Sequence, residues 1–533
     1  MHRAFDSDDI VYSILEHLNW PLRNLRNVAM TCKRLAGPAL NVLWSEQSTL
    51  LPLIMCLPHD ALSVADETIN LSSEPTPSEW ERIIINASRV RRFIDPNIST
   101  VNPKPIVSDL VLRRLFERFP PATLFPNLCA FDSEALLKYR SDISLVGGFM
   151  SPGLEVLSLD VSAQFPIHEV EQFLAALPAK ARGLRQLSMS MDGGDMAFAV
   201  LPSFGNLPKL IALTIHGVDV CMTRQAITNI QQARYLNTLE LTLHETAYDH
   251  DGGVTALELN SLERLSLSSD VLPQCTHFIR QITTRQLSHV KIEYTQPASP
   301  IEITVFIESL STSCQTYGSL KEIHVKDESD GRNTELVIPL SSEVFRPLLE
   351  FTGLSVVIFM GIGNVNLDNR FINDIPDAWP GIRELKFWSH RLAGCDVTFA
   401  AMVSLASRCR SLHTLYLTFD ASQPTMVPQA EDGTEMLWPA QTALSLLHVG
   451  HSQVSEVARM PYILVKVFPD LKKIYWSSHA GSFQIINPSA PLMQQVQEQL
   501  WELQNPLPDM DEGDSGDSEY MVGWKGFRRL RQG

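Results

Sequence analysis

Thirteen segments of the chain share one pattern, an apolar residue followed three and five positions later by two more, with Ser133 standing at the last position of the first copy, which starts at Leu128. Clear copies place Leu154, Leu157 and Leu159, then Leu184, Leu187 and Met189, Leu210, Leu213 and Ile215, Leu236, Leu239 and Leu241, and Leu262, Leu265 and Leu267 in the same relation. From Leu128 the starts fall at 154, 184, 210, 236, 262 and 287, in steps of 26, 30, 26, 26, 26 and 25. The pattern continues at Leu320, Leu354, Ile382, Leu412, Leu444 and Leu471, where the steps scatter between 27 and 34. Alternation at the second and third apolar positions predicts a short strand with one face inward, the first apolar residue packing into the preceding turn.

A period near 26 is the spacing of leucine-rich repeats. Between the strands lie amphipathic stretches, Ile167 to Ala181, Thr223 to Tyr235, Thr276 to Thr284, Ile303 to Ser313 and Phe399 to Arg408, with apolar residues three and four apart, and these predict the outer helices. Strand and helix alternating at a fixed period give an α/β horseshoe, a solenoid in which each unit buries its apolar face only against its neighbours. An ordinary doubly wound sheet would require no fixed spacing within one chain. The solenoid is expected over 128–500, with 49–127 as a linker and irregular or capping repeats, in which Ile69-Asn-Leu71 and Val90-Arg-Arg-Phe93 read as degenerate first repeats.

Residues 6–48 follow a different period and read as a small all-α module. Ile10, Ile14, Leu15 and Leu18 share one helical face, followed by Leu22 and Leu25, then Val28, Cys32 and Leu35, with Pro21 at the break. Three helices this short cannot bury so much apolar surface by themselves, so a docking face is expected.

The runs Asp9-Ile-Val-Tyr-Ser-Ile-Leu-Glu-His-Leu18, Leu25-Arg-Asn-Val-Ala-Met-Thr-Cys-Lys-Arg-Leu35 and Pro38-Ala-Leu-Asn-Val-Leu-Trp44 resemble the F-box of fungal F-box proteins. The Leu-Pro with which F-boxes usually open is replaced here by Asp6-Ser7-Asp8, where Ser7 or Asp8 can cap the first helix. The resemblance implies a substrate-recognition subunit of an SCF-type cullin-RING ubiquitin ligase. The F-box would bind the Skp-type adaptor, and through it a cullin, while the repeats bind a protein client. Carried onto this chain, the adaptor-facing residues are Ile10, Ile14, Leu15, Leu18, Leu22, Leu25, Cys32 and Leu35; read without the resemblance, the same residues are a private three-helix core.

In a horseshoe the strand positions between the buried residues face the concave side. The early repeats offer small or polar groups there, Ser158, Asp160, Ser188, Ser190, Thr214, Thr238 and Thr242. The later ones offer His289, Lys291, His324, Lys326, Met360, Lys386, Trp388, Tyr416, His448, Lys473 and Tyr475. Aromatic and long side chains anchor interfaces, so Lys291, His324, Lys326, Lys386, Trp388, Tyr416, His448, Lys473 and Tyr475 are the client-binding candidates. Lysines and histidines would pair charge with an acidic or phosphorylated segment. The alternative is an idle face partly covered by the loop from Ser422 to Trp438.

The 533 residues carry a formal net charge of −17, which disfavours sequence-independent nucleic-acid binding and leaves a protein as the default partner. No secretory signal opens the sequence and no apolar run reaches bilayer length, so an intracellular protein, cytoplasmic or nuclear, is expected without membrane association. Eight cysteines without a Cys-x-x-Cys pair argue against a disulfide scaffold or zinc ribbon. Residues 505–533 read as an acidic, disordered tail with a basic end. It carries Asp509, Asp511, Glu512, Asp514, Asp517 and Glu519 and no Lys or Arg as far as Tyr520, then Lys525, Arg528, Arg529 and Arg531.

Catalytic motifs are incomplete: His244-Glu-Thr-Ala-Tyr248 lacks the second His of a zinc-protease helix, and Gly361-Ile-Gly363 has Asn366 where a dinucleotide loop needs its third Gly. Cys409 and His413 straddle a turn without a third orienting group. No catalytic, metal or cofactor residue is therefore assigned, and a non-enzymatic receptor is expected. The alternative reading is a leucine-rich-repeat scaffold for protein–protein interaction without ligase activity.

Overall fold

The computed structural model describes residues 7–17, 22–94, 106–133, 143–162, 166–192, 197–198, 207–220, 224–243, 257–314, 318–329, 339–388, 396–421, 440–454, 460–476, 479–480, 485–486 and 489–505. All thirteen repeat segments become strands, each opening two residues after the first apolar position of its motif: β3 (Ala130–Asp132), β4 (Val156–Ser162), β5 (Gln186–Asp192), β6 (Ala212–Val220), β7 (Thr238–Leu243), β8 (Arg264–Ser269), β9 (His289–Tyr294), β10 (Glu322–Asp327), β11 (Val356–Met360), β12 (Glu384–Trp388), β13 (Thr414–Tyr416), β14 (Leu446–His448) and β15 (Lys473–Tyr475). They pair in chain order, all parallel, in one continuous sheet. Two two-residue strands precede them in that sheet, β1 (Glu46–Gln47) and β2 (Arg92–Phe93).

The regularity has a local cause. The first apolar residue of each motif, from Leu154 through Leu320 to Leu471, is fully enclosed in the turn before the strand, and the second and third point into one continuous core, except that Ser133 takes the third position of the first motif and Trp476, in the last, is only partly buried. That core runs from Leu50 to Leu500, each repeat sealing the next, so stability is shared between neighbours and not concentrated at one centre.

Helices form both ends and the outer layer, among them α1 (Asp8–His17), α2 (Leu22–Ala29), α3 (Lys33–Ser45), α4 (Ile167–Lys180), α5 (Leu272–Gln281), α6 (Phe399–Arg408) and α7 (Ala490–Gln504), with Arg224–Gln231 and Pro300–Ser313 also where the sequence predicts them. The helix expected over Thr276 to Thr284 instead begins four residues earlier, as α5. Pro273 occupies its first turn, where a missing amide is harmless, and Ile282–Thr283 leaves the helix to pair with Leu257–Glu258. Of the two degenerate repeats, Val90 to Phe93 supplies β2, whereas Ile69 lies in a separate three-stranded sheet formed by Leu62–Ala65, Thr68–Leu71 and Ile106–Val107.

Helices α1 to α3 have a small core of their own, Val11, Leu15, Leu25 and Ala39, separate from that of the solenoid. The module is fastened to the first edge of the sheet. Its last helix runs directly into β1, Trp44 packs on the solenoid core, and Glu46 meets Arg92 at 3.0 Å. Arg89 donates to Gly37 O at 3.2 Å and to Asn41, and the Arg91 guanidinium lies 5.0 Å from the Tyr12 ring centroid. At the other end α7 covers the open edge of β15: Ile474 N donates to Gln497 Oε1 at 2.6 Å, while Met493, Val496 and Leu500 enter the core. The carboxy-terminal edge of the parallel sheet is thereby covered against pairing with another chain.

Candidate protein-interaction surfaces

Strand register brings one residue from each repeat into a single row along the inner face of the sheet. From β3 to β8 the row reads Asp132, Ser158, Ser188, Thr214, Glu240 and Ser266. From β9 onward it reads Lys291, His324, Ile358, Lys386, Tyr416, His448 and Tyr475. Lys326, Met360 and Trp388 form the row one pleat further along, and Lys473 belongs to the row one pleat before, with Glu322 and Glu384. The nine client-binding candidates thus share one surface.

Its charge is different from the expectation. Lys291 Nζ lies 3.0 Å from Glu293, Lys326 Nζ lies 2.7 Å from Glu328, and Lys386 pairs with Glu384. Glu322 gathers His289 at 3.6 Å, His324 at 3.8 Å and Arg383 at 3.5 Å. The face is charge-compensated along most of its length, because a lysine and a glutamate two residues apart on a strand project to the same side. The hydrogen bond to Glu328 holds the Lys326 ammonium above its usual range, and the hydrogen bond with His216 holds the Glu240 carboxyl below its own.

The histidines also depart from the expectation of charge pairing. Burial, with His451 adding to it, pushes His448 down to about 4, so the ring is neutral at physiological pH; burial pushes His324 down as well. Gly450 N donates to His448 Nδ1 at 3.1 Å, which leaves the ring proton of the neutral form on Nε2.

What replaces positive charge is a stacked row of rings. Tyr416 and His448 lie 4.6 Å apart between centroids and 26° from parallel, and His448 and Tyr475 lie 6.2 Å apart and 13° from parallel. A lysine closes each end, Lys386 Nζ 4.9 Å from the Tyr416 centroid and Lys473 Nζ 4.2 Å from that of Tyr475. Cations over ring faces and offset rings are both favourable arrangements, and a half-buried platform of this kind offers stacking area at small entropic cost. The glutamates were legible at the same register positions; choosing only cations and aromatics passes over them.

In the amino-terminal module the proposed adaptor-facing set divides. Ile10 and Ile14 are 46% and 40% exposed on α1, and Cys32 and Leu35 are partly exposed. Leu15 and Leu25 are only 6% and 3% exposed, because α1 and α2 pack on α3 through them, and they hold the module together instead of facing outward. Leu18 and the side chain of Leu22 lie outside the described residues.

Among the described residues no group of three or more His, Cys, Asp or Glu is placed to hold a metal ion, and no helix is long and apolar enough to cross a membrane. Cys409 is fully enclosed, its thiol pushed up to about 11 by burial, so it is no nucleophile for His413. Gly361 and Gly363 adopt φ of 75° and 85° in a tight turn after β11, with Gly363 N donating to Gly361 O at 2.7 Å. The His244 to Tyr248 segment, the loop 422–438 and the tail beyond 505 lie outside the described residues.

Neither a protein-family model nor a curated protein sequence matches the chain. Solved structures similar to it include an internalin of Listeria monocytogenes, 12% identical over 74% of this chain and 89% of that one with a TM-score of 0.34. Another is a leucine-rich-repeat protein of Leptospira interrogans, 18% identical over 63% of this chain and 69% of that one with a TM-score of 0.35. The assignment as an α/β leucine-rich-repeat solenoid rests on the chain's own repeat period and sheet register.

Proposed function

We propose that this protein is the client-recognition subunit of an SCF-type cullin-RING ubiquitin ligase, its helical module docking a Skp-type adaptor and its concave face holding a protein client. The observation that carries the reading is the division into two cores: a self-contained three-helix module with Ile10 and Ile14 exposed, fastened to the edge of a repeat sheet that carries a platform of rings. Rigid fastening favours this role, since a receptor accelerates transfer by holding client lysines near the transferring enzyme. No catalytic group is required of the chain itself.

The test is co-purification of the full chain with a Skp-type adaptor, comparing wild type with Ile10→Asp and Ile14→Asp. Adaptor recovered with wild type and lost with these exposed changes supports the reading. No recovery, or recovery indifferent to both changes, removes it. A second reading, a repeat scaffold without ligase activity, is favoured by one observation. Leu15 and Leu25 are enclosed in the module's own core, which reduces the described docking face to Ile10, Ile14, Cys32 and Leu35.

A further inference from the structure

Lys291, Lys326 and Lys386 each hold a glutamate, but Lys473 does not. Its ammonium rests on the Tyr475 ring, and among the described residues no carboxylate pairs with it or with the exposed Lys472 beside it. The cation end of the concave face therefore lies on the last strand, β15. Helix α7 ends at that same strand end: Gln504 Nε2 donates to Leu471 O at 2.9 Å and to Pro469 O at 3.1 Å. Helix α7 ends at Gln504, held by its side chain to Leu471, two residues before Lys473, and Pro506 and Pro508 follow in the sequence. The sequence then supplies Asp509, Asp511, Glu512, Asp514, Asp517 and Glu519 with no intervening Lys or Arg.

We propose that the acidic segment 509–519 is the resident occupant of the carboxy-terminal end of the concave face, its carboxylates on Lys472 and Lys473 and its backbone across the Tyr475–His448–Tyr416 stack. The reach is sufficient. The four steps from Asn505 to Asp509 extend up to about 14 Å. The acidic segment itself extends up to roughly 35 Å, against roughly 14 Å for the three strand spacings from β15 to β12. Tethering gives it an effective concentration on the order of millimolar, so weak ion pairs suffice. Met510 provides a thioether for ring contact between the acids. The consequence for function rests on the concave face being the client surface: a client must displace the chain's own acidic segment, which selects partners that offer acids or stacking groups of their own. The docking itself is independent of adaptor binding.

The test uses the full-length protein and a water-soluble carbodiimide, which joins an ammonium and a carboxylate in contact as an amide. Mass spectrometry should find Lys472 or Lys473 linked to carboxylates of 509–519. The links should fade at roughly 0.5 M salt. In a mixture of isotope-labelled and unlabelled protein they should stay within one chain. In a second arm, a fluorescent peptide of residues 505–520 should bind full-length protein with those acids changed to amides about tenfold more tightly than wild type. Links confined to other lysines, links between labelled and unlabelled chains (a second copy as occupant), or equal peptide affinity would each overturn the proposal. Adaptor co-purification reports on the ligase reading separately, so either can fail alone.

Discussion

Tyr416 and His448 stack across neighbouring strands, ring centroids 4.6 Å apart, and the histidine in that stack has been pushed down to about 4 by burial. An unfolded chain binds the proton with a pKa of about 6.5. Between these values the unfolded state holds more protons than the native state, so stability rises with pH; it is fully present above about 6.5 and is lost as pH falls toward about 4. The slope from this one group is at most about 1.4 kcal/mol per pH unit. His448→Phe keeps the stack and removes the titration. Thermal unfolding at pH 7 and pH 5 should show a smaller loss for the variant; identical losses would exonerate His448.

The two kinds of residue on α1 predict opposite behaviour. Leu15→Ala opens the core shared by Val11, Leu25 and Ala39 and should cost about 2–5 kcal/mol. Ile14→Asp alters an exposed position and should stay within about 0.5 kcal/mol. Hydrogen exchange over 8–45 measures both, with loss of protection expected for Leu15→Ala alone. This also makes Leu15→Asp unsuitable as a probe of docking, since it disrupts the module first.

Gln441 carries a share of backbone pairing that its repeat cannot provide for itself. It is 1% exposed; its Nε2 donates to Leu412 O at 2.8 Å and Cys409 O at 3.2 Å, and its Oε1 accepts from Leu444 N at 2.7 Å. Gln441→Leu fills the same volume and strands two buried backbone groups, Leu412 O and Leu444 N, at about 1–3 kcal/mol for each that finds no water, while Cys409 O keeps the bond from Leu412 N. Loss of protection confined to 409–447 is expected; a variant as protected as wild type would mean that solvent reaches the site.

The contrast between these features explains what the sequence could convey. The thirteen strands were legible because each needs an enclosed residue in the turn before it and another within it, three positions apart, and the concave rows followed from the alternation of the pleat. β2 was legible as the degenerate repeat from Val90 to Phe93, whereas β1 was not, since two residues show no period, and its place is set by Arg91 N donating to Ser45 O and Ile94 N to Gln47 O across the edge. The rings at Tyr416, His448 and Tyr475 were legible as surface residues. Their stacking and the neutrality of His448 depend on burial that only the assembled sheet provides. The enclosure of Leu15 and Leu25 was hidden for the converse reason: an apolar helix face looks the same whether it meets a partner or its own neighbours.

Gly450 holds the turn that follows the stack, and its replacement should be felt at His448. Its φ is +54°, a conformation that side chains disfavour, and a Cβ there would run into Thr418 Oγ1. Gly450→Ala should cost about 2–3 kcal/mol, the sum of a left-handed backbone penalty and the collision. In a Thr418→Ala background the collision is gone and the cost should fall to about 1–2 kcal/mol, since the backbone term remains. Because the same amide donates to His448 Nδ1, movement of the turn should also loosen the ring and raise its pKa toward the ordinary value. Histidine titration by NMR in the Gly450→Ala protein measures this directly, and an unmoved His448 would show that burial by the neighbouring rings suffices to keep it neutral.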